Sequence, residues 1–498
     1  MSEKLILAHD LGTSGNKASL YSADGQLVAS AVCSYETHYS HGTWAEQDPN
    51  DWWSAVCSTT SRIMEGRDPK SVVAVAFSGQ SMGCLCLDKN GTPLTNSIIW
   101  QDSRATKEAD LLTERIGGLS EGCRITGQQL SANYIVEKLM WIKEHQPEIY
   151  RDTFVVLPAK DYIAYRMTGN FTTDHTDAAF SQMYDMQERK LSAALLDASG
   201  IDGDKFPKIV PSTAIVGEVT SQAAAELGIA AGTPVVAGAG DGPCAALGAG
   251  AIEAGDAYAC VGTSTWLSYV IDEYTYDPYG RLQLQPLAVD GKYVLAGTMQ
   301  AGGLSYHWAR KQFFNQPISY QEINEMIEKS PAGANGVLYL PYLMGERSPW
   351  WNTKARGAFI GLRGYHEKSD MLRAVLEGVA MNMKLIYNDI SHFRSFGKEM
   401  NMIGGGAKGS VWRQIFADMF GMTIHRPQTV EEATSFGAVM IAAVGVGLFP
   451  NFQEAKKLIK IEATNEPNME NHAVYEELLQ IFEDTYHALE PINDRLAK

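Results

Sequence analysis

Several things are scarce in this sequence. There is no lysine or arginine tract and no basic amphipathic stretch, and acidic residues outnumber basic ones, 58 to 41, for a formal net charge of −17. This balance argues against a nucleic-acid footprint, and an anionic ligand would need local help from backbone amides or a metal. Long apolar runs are missing too. The stretch "MSEKLILAHDLG" carries only a short apolar run before His9 and Asp10, too little for a secretory h-region, and residues 436–449 fall short of the roughly 20 apolar residues of a membrane span. Cysteine is sparse: Cys33, Cys57, Cys84, Cys86, Cys123, Cys244 and Cys260. An odd, scattered set excludes a disulfide framework and suggests reduced thiols in a cytoplasmic protein. Cys84 and Cys86 alternate onto one strand face with no complementary Cys or His pair, so they read as structural rather than as a metal half-site.

What is present is an ordinary globular composition, 45% hydrophobic and 20% charged, over 498 residues. That length is too great for one core, so two α/β domains are expected, residues 1–247 and 248–498. The chain opens as a β-meander, "KLILA", "KASLYSA" and "QLVASAVC", with the hairpin pair Asp24-Gly25 between the second and third runs. Asp48 can cap a helix with Pro49 at its first position and Trp52, Trp53, Val56, Ile63 and Met64 on its apolar face. Helices are expected near 104–114 and 135–145, with "VVLPAKDYIAYRMTG" as a strand leading into a helix. Ser369 can cap a long amphipathic helix through Ile390. Gly262-Thr263-Ser264 in "CVGTSTWLSYV" repeats Gly12-Thr13-Ser14, which puts Cys260 where the first half has Asp10. The chain thus reads as two related halves with asymmetric chemistry, expected to bind a ligand between them.

Asp10 closes an apolar strand ahead of Gly12, Thr13, Ser14 and Gly15. Glycines let successive N–H groups point at an anion, hydroxyls add donors, Lys17 adds charge, and a carboxylate at the strand end can hold Mg²⁺ against phosphates. A hairpin turn with a capping aspartate is the plain alternative. "VVAGAGDGPCAALGAG" looks like a dinucleotide fingerprint, but Pro243 stands where the third glycine belongs, which argues against a nicotinamide site. Asp241, in a glycine-rich turn before a helix that Pro243 can start, is placed to accept a proton from a substrate hydroxyl; a simple N-cap stays open. Gly404, Gly405, Gly406 and Ala407 precede another helix and can let a flat base or ribose lie on backbone, as can Gly302-Gly303, each a weak signal alone. Trp100, Asp102 and Arg104 either line a polar pocket or include a surface ion pair.

Together these stretches resemble the FGGY family of carbohydrate kinases, and among them the xylulokinases most. The similarity covers essentially the whole chain through "DLGTSGNKASLYSADG", "WAEQDPNDWW", "SGQSMG", "IIWQDSRA", "LPAKDYIAYRMTG", "GAGDGPCAALGAG", "VGTSTWLS", "LPYLMGERSPWWN", "GAFIGLRGYHEKSDMLRAVLEGVA" and "GGGAKGSVWRQIFAD". "NYIVEKLMWIKEH" fits the family's first signature only in part, because Ile135 stands where proline, serine or threonine belongs. The resemblance implies two actin-like or ribonuclease H-like domains with mixed central sheets and an interdomain cleft, the first holding sugar and a phosphate loop, the second the nucleotide. It implies ATP and Mg²⁺, with Asp10 positioning metal and phosphate and Asp241 as general base. Gly12, Thr13, Ser14, Lys17, Gly262, Thr263 and Ser264 would serve the phosphates, and Gly302, Gly303, Gly405, Gly406 and Ala407 the nucleoside. Gln80, Ser81, Met82, Trp100, Asp102, Asp241 and Gly242 would meet the sugar. The expected partners are a small sugar and ATP, without nucleic acid or membrane; a homodimer stays open.

Two departures bear on the sugar. Xylulokinases typically read Gly-Gln-Met-His-Gly where this chain has Gly79-Gln80-Ser81-Met82-Gly83, and many bacterial members have asparagine at the position of Gly242. Losing an imidazole and an amide can change which sugar is accepted while leaving transfer intact. D-xylulose, giving D-xylulose 5-phosphate, is the leading acceptor, with ribulose, erythrulose or a glycerol-like polyol open. A non-catalytic regulator would be marked by loss of Asp10 or Asp241, and both are present.

Overall fold

The computed structural model describes residues 4–497. The chain divides into unit 1 (Met1–Ile252, Asp272–Val294, Glu432–Leu458) and unit 2 (Glu253–Ile271, Leu295–Glu431, Ile459–Lys498), so it passes between units near residue 252 and several times after that. Among the described residues no helix is long and apolar enough to cross a membrane.

In chain order run β1 (Leu5–Leu11), β2 (Gly15–Ser22), β3 (Leu27–Ser34), α1 (Pro49–Met64) and β4 (Val72–Gly79). Helices α2 (Thr106–Ile116), α3 (Ile135–His145), α4 (Ala159–Thr168) and α5 (His175–Ala179) follow. Strands β5 (Ile215–Glu218), β6 (Pro234–Val236) and β7 (Ala239–Gly240) then lead into α6 (Asp241–Gly248). Next come β8 (Ala257–Val261), β9 (Thr265–Ile271), β10 (Tyr293–Met299), α7 (Gly302–Phe313), α8 (Lys368–Ser391), β11 (Glu399–Ile403), α9 (Ser410–Phe420) and β12 (Thr423–Pro427). After them, α10 (Ala433–Gly445) returns to unit 1, and β13 (Ile461–Asn465) and α11 (Met469–Leu496) complete unit 2.

The sheet of unit 1 has the order β5-β6-β4-β1-β2-β3, with β7 also paired to β4. β1 lies parallel to β4 and antiparallel to β2. A strand in this central place is covered on both faces, which is why "LILAHDL" is nearly continuous in apolar residues rather than alternating. In unit 2 the path β13-β12-β11-β8-β9-β10 has the same sequence of pairings: antiparallel, parallel, parallel, antiparallel from β13 to β9, as from β5 to β2. The two halves inferred from the repeated Gly-Thr-Ser turn are thus two sheets of one design, the mixed α/β architecture expected.

Local signals hold well. Asp48 caps α1 by accepting the Asn50 N–H at 2.8 Å, with Pro49 at the first turn and Trp52, Trp53, Val56, Ile63 and Met64 buried. Gly25 takes a positive φ of 81° in the hairpin after β2. The cap at Ser369 does not form: α8 begins one residue earlier, and the Glu367 N–H is taken by Asp370 Oδ2 at 3.0 Å. Glu367 thus holds the cap position, and the Asp370 carboxylate that takes its N–H also accepts from Ser330 and Asn335. α10, almost wholly buried, packs on β1, β4 and α6. Its approach to α6 is so close that a Cβ at Gly437 would sit 2.0 Å from the Cys244 carbonyl, and one at Gly248 1.9 Å from that of Ala433.

Candidate active site

β1, β4 and β7 are parallel neighbours, and their C-terminal ends gather residues far apart in sequence: Asp10 pairs with Ser78 and Leu11 with Gly79, while Ser78 and Gly79 pair with Ala239 and Gly240. Asp10, the loop 79–83 and Asp241 therefore emerge side by side. This is where open α/β sheets take their ligands. Gly238, with φ of 74°, is needed because a Cβ there would lie 2.1 Å from the Phe77 carbonyl. That glycine serves strand packing, in keeping with the rejected dinucleotide fingerprint.

Asp241 is the first residue of α6, with Gly240 at the cap position, so the helix starts two residues before Pro243 and the plain N-cap alternative does not hold. One carboxylate oxygen accepts the Gly242 N–H at 2.7 Å. The residue is reached by solvent, yet protein crowds around it. Desolvation first, and then the negative charge of Asp10, push its carboxyl up to about 7, against which the Gly242 N–H pulls down. Asp10 Oδ2 accepts the Thr434 hydroxyl at 2.6 Å. Thr434 comes from α10, and nothing in the surrounding "EEATSFG" signals that role.

The turn after β1 closes through Gly12 N–H to Gly15 O at 3.0 Å. Its other carbonyls are pinned from outside: Tyr35 donates to Gly12 O, and Gln47 Nε2 to Thr13 O at 2.7 Å. Trp100 donates its indole N–H to Thr13 Oγ1 at 2.8 Å, while Ser14 stays exposed. Lys17 is engaged by Glu432 at 3.0 Å, so its charge is compensated within the unit. Gln80 hangs from Leu11 O by its N–H (2.8 Å) and donates its side-chain amide to Gln47 at 2.8 Å. Its Oε1 is buried with no donor among the described residues.

Met82 is half-buried with a left-handed φ of 69°. Its carbonyl accepts from Lys138 Nζ at 2.8 Å, and the same fully buried ammonium holds Ile99 O (2.9 Å) and Asn133 O (2.5 Å). Burial lowers the Lys138 pKa to about 8. Asp102 is fully buried, and its carboxylate is occupied by the Ala45 N–H at 2.6 Å and by Arg104, which also reaches Glu46 at 2.7 Å. The pair with Arg104 is therefore real but interior. Gly242 is half-buried, and a Cβ there would come 3.3 Å from Gln285 Oε1.

Below the loop lies a charged cluster that sequence reading did not single out. Lys160 Nζ touches Asp161 (2.5 Å), Asp174 (2.9 Å) and Asp177 (3.1 Å), with all four side chains essentially buried. Burial pushes the Asp161 carboxyl up to about 7. The cluster reaches the turn before Asp241: Thr176 Oγ1 donates to Asp174 and accepts the Gly240 N–H at 2.9 Å. A Cβ at Gly240 would lie 2.6 Å from Ser81 Oγ, so loop and turn are in contact. The adjacent charges "KD" at the start of the helix in "LPAKDYIAYRMTG" were the available signal.

In unit 2, β8 and β11 are parallel, Cys260 pairing with Ile403, so the turn 262–264 and the glycine loop 404–407 lie at neighbouring strand ends. The turn closes through Gly262 N–H to Ser264 O at 3.0 Å and leaves Thr263 exposed. The start of α7 rests directly on it: Gly303 N–H donates to Gly262 O at 2.8 Å and Leu304 N–H to Thr263 O at 3.1 Å. A Cβ at Gly302 would strike Thr265 Oγ1 at 1.8 Å. The three loop glycines differ. A Cβ at Gly404 or Gly406 would hit Val261, whereas Gly405 is exposed with nothing within 4 Å of that position. Ala407 is buried, its carbonyl held by Arg413 at 2.5 Å.

The description "FGGY family of carbohydrate kinases, N-terminal domain" matches residues 5–248, and its C-terminal counterpart matches residues 257–446. A xylulose kinase of Staphylococcus epidermidis is 34% identical over 497 residues, 98% of this chain and 97% of the relative. Crystal structures of a gluconate kinase and of a ligand-bound xylulose kinase from Lactobacillus acidophilus each superpose with a TM-score of 0.93 at 29% identity. The first covers 98% of this chain and 98% of its own, the second 99% and 100%.

Proposed function

The chain belongs to the FGGY family of carbohydrate kinases and is an ATP-dependent sugar kinase; from that premise we propose that its acceptor is D-xylulose and that Asp241 is the general base. The observation that carries this reading is the placement of Asp10 and Asp241 at the ends of β1 and β7, the two strands that flank the end of β4, with the Asp241 carboxyl raised to about 7. A base is most useful when its pKa lies near the working pH. The acceptor hydroxyl passes its proton to Asp241 as its oxygen bonds to the γ-phosphorus, and the bond to the β,γ-bridging oxygen breaks to release ADP. Such transfer needs mainly positioning and charge neutralisation.

The exposed Ser14 hydroxyl on the turn of unit 1 and the exposed Thr263 hydroxyl on the turn of unit 2 are each suited to phosphate, and the start of α7 braces the second turn. The open face over Gly405 suits a nucleoside, and Gly406 and Ala407 shape that loop from within. Mg²⁺ fits the donor set: Asp10 offers a hard carboxylate oxygen, and its repulsion of Asp241 is one that a cation held by Asp10 would relieve. When bound, the ion neutralises phosphate charge. All seven cysteines are free thiols, which supports a cytoplasmic setting.

The loop 79–83 argues for a second reading of the acceptor. Met82 and Ser81 stand where xylulokinases carry histidine and methionine, so another ketose such as ribulose or erythrulose, or a glycerol-like polyol, is the alternative. Asp241→Asn tests the base: turnover in a coupled ADP-release assay should fall by about 10² to 10⁴ with ATP binding retained. Near-wild-type turnover would refute the assignment.

A further inference from the structure

Gly240, the residue before Asp241, is held more closely than a turn requires. It pairs with Gly79 at the end of β4 and occupies the cap position of α6. On its side-chain side there is no room, since a Cβ would lie 2.6 Å from Ser81 Oγ. Its N–H is taken by a hydroxyl from a separate segment: Thr176 Oγ1, in α5, accepts it at 2.9 Å. Thr176 is fully buried, and its own O–H is directed at the Asp174 carboxylate, 2.8 Å and 3.0 Å from the two oxygens. A hydroxyl has one proton, so one that gives it to a carboxylate presents only lone pairs to Gly240.

Asp174 is in turn fixed from several sides. It accepts the Ser212 hydroxyl at 2.6 Å and the Thr176 N–H at 3.0 Å, and Lys160 Nζ stands 2.9 Å away. Burial alone would raise its carboxyl; the Lys160 charge and the Ser212 hydroxyl hold it below the usual carboxylate range, so it stays an acceptor for Thr176. Lys160 also lies under the start of the loop 79–83, where a Cβ at Gly79 would come 3.2 Å from its Cβ. Resting on the reading of Asp241 as general base, we propose that Thr176 is a positioning residue for it. Through Gly240 it fixes how the start of α6 presents the Asp241 carboxylate, and Asp174, braced by Lys160, keeps the Thr176 hydroxyl in the one orientation that can do so. Without that hydroxyl the Gly240 N–H loses its partner and the turn relaxes, and a shift of about 1 Å at a reacting group can cost about 10²-fold in rate.

The test is a double-mutant cycle on the full-length protein, Thr176→Val with Asp241→Asn, read as kcat in a coupled ADP-release assay with D-xylulose, or with D-ribulose should that turn over faster. Thr176→Val alone should lower kcat about 30- to 100-fold with the KM for ATP within about twofold. In the Asp241→Asn background the same substitution should change the residual rate by less than about threefold, because no base remains to be misplaced. Thr176→Ser, which keeps the hydroxyl, should return kcat to within about threefold of wild type. An equal loss in both backgrounds, an unchanged kcat in Thr176→Val, or a Thr176→Ser variant as slow as Thr176→Val overturns the positioning role. Should Thr176→Val fail to fold, as judged by circular dichroism, the smaller Thr176→Ala carries the same cycle. Near-wild-type turnover of Asp241→Asn by itself removes the base and the positioning role together, whereas a slow Asp241→Asn without the coupling removes the positioning role alone.

Discussion

Residues 12–14 of unit 1 and 262–264 of unit 2 occupy the same place in two sheets of the same order. Each turn joins an antiparallel pair whose first strand has a parallel neighbour on its other side, and each closes on the N–H of its glycine. The strand ends differ. β1 presents Asp10, which Thr434 holds and Asp241 accompanies; β8 presents Cys260, largely buried. The backbone device recurs, and the carboxylates belong to one unit alone. On the proposed reading the two turns divide two jobs: cradling phosphate needs only amides and hydroxyls, while handling a metal and a proton needs acids.

Making the first turn resemble the second should have the largest effect. Asp10→Cys is expected to lower kcat by about 10² to 10³ and to weaken the dependence of rate on Mg²⁺ concentration. Steady-state rates across a Mg²⁺ titration check this, and an unchanged profile would mean the two strand ends are interchangeable. Disturbing the second turn should be milder and of a different kind. Gly303→Ala puts a Cβ 2.3 Å from the Gly262 carbonyl, so the start of α7 must shift off the turn. The KM for ATP should rise about tenfold with the KM for the sugar within twofold. Cys260→Ala should matter least, with kcat within about twofold of wild type and a loss of stability of about 1 kcal/mol from the trimmed buried side chain, read by urea titration.

Much of this contrast was legible in the chain itself. The β-meander, the Asp48 cap and the repeated turn rest on local periodicity and turn chemistry, which survive in any tertiary setting. The chain marks Asp241 as a candidate base but not its place as first residue of α6, where Gly240 at the cap position is held by Thr176 from a distant segment. Thr434 and Glu432 reach unit 1 from more than four hundred residues away, on the return of the chain, and no spacing rule reports such a contact. Lys138 and Lys160 sit on helices where lysine usually means solvent. Burying them takes three carbonyls or three carboxylates supplied by separate segments. Asp102 was expected either to line a pocket or to lie in a surface ion pair, and it does neither, since its carboxylate is filled from within.

The account stands most directly on the protonation of Asp241. Its carboxyl is raised to about 7, and the base must be ionised to work, so kcat/KM for the acceptor should fall about tenfold per pH unit on the acid side of its pKa, which lies at 7 or below once a cation at Asp10 relieves the repulsion, and level off above it. The measurement is the pH profile of kcat/KM for D-xylulose, or for whichever neutral acceptor binds best, in the wild type and in Asp241→Asn. The expected result is an acid limb at or below pH 7 in the wild type that is absent from the residual activity of the variant. The same limb in both proteins would contradict it.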